Sequence, residues 1–121
     1  MIRYSKRRVL NKTANYTVSP AKGDFSGTLF TTRGAGSGVT FTLPSPTPGL
    51  IDHFYDFLNV ADQNMTVSAG SGKAVCFNNL TATSLAASTA GQKIGACIRA
   101  FCDGTSWLLL GESSGVTYTV A

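Results

Sequence analysis

The chain has 121 residues, enough for one domain and one core. Hydrophobic residues make up 43% of it, which excludes a disordered segment, while charged residues are only 13%, about half the usual share. The formal charge of +4 hides an asymmetry: Arg3, Lys6, Arg7, Arg8 and Lys12 place five bases in the first twelve residues, with no acid among them. Residues 13–121 set the other five bases against six acids. The expected organisation is a basic arm over residues 1–14 on a nearly neutral β-domain over residues 15–121. No apolar stretch follows the basic start, and no run approaches the roughly 18 apolar residues of a membrane span. The expectation is therefore a protein made in the cytoplasm, with no membrane partner.

Beyond the arm, short alternating runs are separated by turn residues. Tyr16 to Val18 alternates until Pro20 stops it, and Gly27 to Thr32 is a second run ended by the glycines from Gly34 to Gly38. Val39 to Leu43 is the cleanest strand, with Val39, Phe41 and Leu43 on one face and Thr40 and Thr42 on the other. Ser45 to Gly49 is a loop. Ile51 to Val60 reads as an aromatic-rich strand, with a tight turn at Asp62 to Asn64 leading into Met65 to Val67. Gly70 to Gly72 turns into Ala74 to Phe77, Asn78-Asn79 turns again, and Ser84 to Ser88 is weakly patterned. Lys93 to Cys102 is a long strand with Ile94, Ala96, Ile98 and Ala100 on one face and Gly95, Cys97, Arg99 and Phe101 on the other. Asp103-Gly104 signals a hairpin into Trp107 to Leu110, and Val116 to Val120 closes the chain. The fold class is all-β: a single-domain sandwich, jelly roll or small barrel of about eight to nine short strands.

Motifs that resemble catalytic chemistry fail on detail. Gly70-Ser71-Gly72-Lys73 looks like the end of a phosphate-binding loop, but Val67 stands where glycine is needed and Ala74 where Ser or Thr is needed. His53 is the single histidine, too few for a metal site, and on a strand it and Asp56 point to opposite faces. Cys76, Cys97 and Cys102 are odd in number and match no disulfide, zinc or redox spacing, so they read as free thiols. Trp107 reads as core. The expectation is a non-enzyme with no cofactor and no metal, whose binding residues are Arg3, Tyr4, Lys6, Arg7, Arg8 and Lys12.

From Tyr16 onward the sequence resembles a small β-module of tailed-phage virion proteins. The likeness is carried by Tyr16-Thr17-Val18, by Gly27 with Leu29 through Ala35, by Val39 through Pro44, by Asp103 through Trp107 and by Ser113-Ser114-Gly115. Such modules occur in capsid decoration (cement) proteins, head fibres and tail fibres. The resemblance, with a single module and a basic arm, implies a decoration protein that binds a major capsid protein or another virion protein on the shell exterior. A surface poor in charge and rich in Ser, Thr and apolar residues suits packing against other copies, so a homo-oligomer is expected, with a trimer favoured. The alternatives are a glycan- or receptor-binding fibre module and a nucleic-acid-binding protein using the arm, the last disfavoured by the neutral body.

Overall fold

The computed structural model describes residues 7–112 and 115–121, and within them the chain begins by winding. Strands β1 (Val9–Asn11), β3 (Leu29–Thr31) and β5 (Phe54–Leu58) lie side by side and parallel in one sheet. Strands β2 (Tyr16–Thr17), β4 (Val39–Thr42) and β6 (Met65–Ser68) do the same in a second sheet. Each strand hands the chain to the opposite sheet, and each return adds one strand beside the last. Parallel neighbours need a long connection. Here the connection is a strand of the facing sheet with its flanking loops.

The second half adds strands that pair antiparallel, with one parallel exception where Trp107–Leu108 meets Ala74–Val75. Strands β7 (Ala74–Cys76) and β8 (Asn79–Ala82) form a hairpin at the far edge of the first sheet. Strand β9 (Ser84–Ala87) crosses to pair with β6, and the hairpin of β10 (Cys97–Cys102) and β11 (Trp107–Glu112) fills the space between β5 and β7. Strand β12 (Tyr118–Val120) closes the second sheet beside β9. The orders are β1-β3-β5-β10-β11-β7-β8 and β12-β9-β6-β4-β2. The fold is an all-β sandwich.

The described residues form twelve strands where about eight or nine were expected for the chain. Val9–Asn11 lies in the segment read as an arm, and Asn79–Ala82 begins on the second residue of the pair read as a turn. Both are too short or too polar to alternate visibly, and each is recruited by its neighbour. The turns read at Asp62 to Asn64 and Gly70 to Gly72 both carry the chain from one sheet to the other. The run from Lys93 is shorter than its pattern suggested. Gly95 takes a left-handed φ of 86°, Ile94 is 65% exposed, and the strand starts only at Cys97.

Alternation sets the core. Val39, Phe41 and Leu43 are buried while Thr40 and Thr42 face outward, as read from the sequence. Phe57 stacks on Phe30 with ring centroids 5.4 Å apart and meets Phe41 at 4.8 Å, joining the two sheets through one aromatic cluster. Trp107 is fully buried, and its indole N–H donates to the Pro44 carbonyl at 2.8 Å. Truncating one such ring costs about 3–5 kcal/mol.

The cysteines are all free. Cys102 is buried on the inner side of β10 and Cys97 half-buried on the outer side, as their five-residue spacing requires. Burial pushes the Cys76 and Cys97 thiols up, and for Cys97 the nearby Asp56 and Glu112 carboxylates add to it. Thiol titration should therefore count three groups per chain in denaturant, reacting much more slowly in the native protein. A denatured count of one would mean a disulfide.

Candidate functional site

Arg3, Tyr4 and Lys6 lie outside the described residues, so the structure places Arg7, Arg8 and Lys12 of the expected binding set. These three do not form a loose arm. Leu29 donates its backbone N–H to the Arg8 carbonyl and Lys12 donates to Thr31, so the ladder of β1 holds the chain on both sides of Val9–Asn11. Leu10 packs on the core.

Arg7 and Arg8 instead form one wall of an open groove of about 490 Å³ at the β1 end of the first sheet. Its floor comes from the outer face of β5 and β10. Asp56 and Arg99 stand directly opposite each other across those strands. Arg99 grips Asp56 with both ends of its guanidinium, Nε to Oδ1 at 2.6 Å and Nη2 to Oδ2 at 2.8 Å, the two-pronged geometry that makes arginine–carboxylate pairs strong. Arg7 pairs with the same Oδ2 from the other side and donates its Nε–H to the Gly27 carbonyl at 2.8 Å. Asp56 is only 2% exposed.

Burial alone would push the Asp56 carboxyl up. The hydrogen bonds and charges of Arg99 and Arg7 outweigh it and hold the group below its ordinary value of 3.8. A lowered folded-state value means that this stabilisation is complete above about 3.8 and is lost as pH falls through the lower folded value. The melting temperature should thus be flat from about pH 8 to pH 5 with respect to this group. The gap between wild type and Asp56→Asn should close only in stronger acid; a gap that closes near pH 6 would show that Asp56 is not the group responsible.

The opposite wall is the loop before β3, and it is held stiffly. Asp24 is buried, accepts from the Tyr16 hydroxyl at 2.6 Å and the Ser19 N–H at 2.8 Å, and takes the Tyr55 hydroxyl on its carbonyl at 2.7 Å. Burial, with Asp24 nearby, pushes the Tyr55 phenol up to about 12. Beyond this anchor Phe25 stands 67% exposed, with the Arg8 guanidinium 5.9 Å from its ring centre. Arg8 also donates to the Gly23 carbonyl. Arg99 lies 5.5 Å from the Phe54 ring and 5.9 Å from that of Phe101. Three guanidiniums against one carboxylate leave two net positive charges on the groove's side chains.

Lys12 is elsewhere, with Nζ 3.9 Å from the Tyr16 ring centre. Sequence reasoning missed Arg99, Asp56, Phe25 and Phe54. The signal for two of them was present: Asp56 is the one charge inside an apolar strand, and Arg99 the one charge inside the next long one. Their pairing depended on strand order, which the pattern does not encode.

A second surface lies at the other end of the same sheet. Phe77 is 56% exposed, Leu80 78% and Leu110 47%, with Val75 and Leu108 between them. The β7–β8 turn places both Phe77 and Asn78 at positive φ, 43° and 67°. Asn tolerates this, but phenylalanine there costs about 1–2 kcal/mol. A strained, exposed aromatic at a hairpin tip is the kind of feature that function retains.

His53 sits half-buried ahead of β5, and among the described residues no three of His, Cys, Asp and Glu gather as metal ligands would. No known protein-family model matches the chain, and no curated protein matches its sequence.

Proposed function

We propose that this chain is a non-enzymatic structural protein of a virus particle, a decoration protein that binds the outside of an assembled shell and stiffens it. The observation that supports this reading best is the cationic groove, built on a buried aspartate held by two partly exposed arginines and lined by the exposed Phe25 and the half-buried Phe54. Such a surface suits contact with an acidic protein surface. The stabilising mechanism is mass action, because a ligand that binds only the assembled state favours that state. In this reading the strained apolar patch at Phe77, Leu80 and Leu110 joins sister copies, since it brings together no like charges apart from the rim residue Glu112. Sedimentation of the purified protein should then show species above the 12.7 kDa monomer, and Leu80→Asp should return it to monomer. A wild-type protein that is monomeric at high concentration would remove the patch from the account.

Electron microscopy of particles assembled with and without the gene tests the proposal as a whole. Extra surface density that disappears with the gene supports it, and identical shells reject it. A second reading, an adhesin module recognising an anionic glycan, gains from the exposed Phe25 and the half-buried Phe54 beside the arginines. It predicts binding to isolated acidic oligosaccharides and density at a fibre tip.

A further inference from the structure

The groove has features that a frayed basic terminus would not have. Its central charge, Asp56, is buried and fully engaged by two arginines from different parts of the chain, one on β10 and one just ahead of β1. Asp56 fixes their positions without neutralising both, so one positive charge of that pair remains. Arg8 adds a second and is held by the Gly23 carbonyl rather than by an acid. The arginines are thus preorganised, which lowers the ordering cost of binding an anion.

Three features of the groove decide what kind of anion fits. The other described bases, Lys12 included, line no part of it, so the positive field is local rather than a track. Nucleic-acid backbones are bound by neutralising phosphates in series, which this arrangement does not offer. The groove is also open rather than enclosing, whereas small-molecule sites bury most of their ligand. Finally, the exposed Phe25 and the half-buried Phe54 flank the guanidiniums and offer apolar surface to the carbon stem of a side chain.

We infer that this groove is a carboxylate-recognition site for an acidic segment of a partner protein, with Arg8 and Arg7 as anion donors and Phe25 as the apolar rest. The inference rests on the reading above that the chain binds a protein surface, and it names the chemistry of that contact. One or two Glu or Asp carboxylates balance the local charge. Arginine suits the task because its planar fork donates two parallel hydrogen bonds to a carboxylate.

The test is fluorescence polarisation of the full chain with dye-labelled hexaglutamate, with labelled hexaglutamine and oligothymidylate of equal length as comparisons. Hexaglutamate should bind, weaken as salt rises to about 0.5 M, and outcompete both comparisons. Arg8→Glu should weaken it at least about tenfold, the loss expected of a charge-assisted hydrogen bond. Phe25→Ala should weaken it by less. Both side chains are exposed, so an unchanged melting curve will show that these variants stay folded. Hexaglutamate binding that Arg8→Glu leaves untouched would overturn the inference, as would equal binding of hexaglutamine or tighter binding of oligothymidylate. The peptide carries no shell, so failure of the decoration reading leaves these outcomes intact. Conversely, shell binding without hexaglutamate binding would reject this site alone.

Discussion

Replacing Arg7 and Arg99 together with glutamine should destabilise the protein by about 3–5 kcal/mol, because it strands a buried carboxylate with no charge partner. Either single replacement should cost much less, since the remaining arginine still holds Asp56 and is itself partly exposed, 38% for the Arg7 side chain and 44% for Arg99. The two effects should therefore be strongly non-additive in a double-mutant cycle. Adding Asp56→Asn to the double variant should recover much of the loss, because the uncompensated charge is then gone. Chemical denaturation of the four proteins measures this directly. Additive single effects with no recovery would mean that the triad does not act as a unit.

Removing residues 1–13 should abolish partner binding and also lower stability, and the second effect is where structure and sequence part company. From sequence these residues look like a detachable arm, and their loss takes the net charge from +4 to −1. The structure makes Val9–Asn11 an edge strand, packs Leu10 on the core and ties Arg7 to Asp56. Their removal uncovers β3 and takes one partner from a buried acid. Removing residues 1–6 alone leaves all of this in place. A melting curve should accordingly separate the two truncations, the longer melting clearly below the shorter. If both melt alike, β1 adds nothing to the fold.

These cases show what is legible in such a sequence. Strict alternation over Val39 to Leu43 identifies a strand and both its faces, because burial on one side and solvent on the other act on successive residues. Asp103-Gly104 identifies its hairpin because few residues suit that turn; the Asp103 carboxylate accepts from the Thr105 and Ser106 N–H groups. The three-residue strand Val9–Asn11, set in a basic run, carries too little pattern to be seen. The winding of the first six strands through two sheets was also invisible, since each crossover reads locally as a turn. The candidate site was half legible for the same reason. Charge density pointed to Arg7 and Arg8, but Arg99 and Asp56 meet them only through the order β1-β3-β5-β10, a long-range property.

The central claim is that the groove is the contact through which this protein holds an acidic shell. Occupancy on purified shells, measured for the wild type and for Arg8→Glu at matched oligomeric state, tests it most directly. Arg8 contacts no acid among the described residues and is exposed, so its reversal changes the groove's charge without undoing the triad. The wild type should decorate shells at moderate salt and dissociate as salt rises, while Arg8→Glu should leave them bare. Full occupancy by the folded Arg8→Glu protein would contradict the claim and move the contact to another surface of the sandwich.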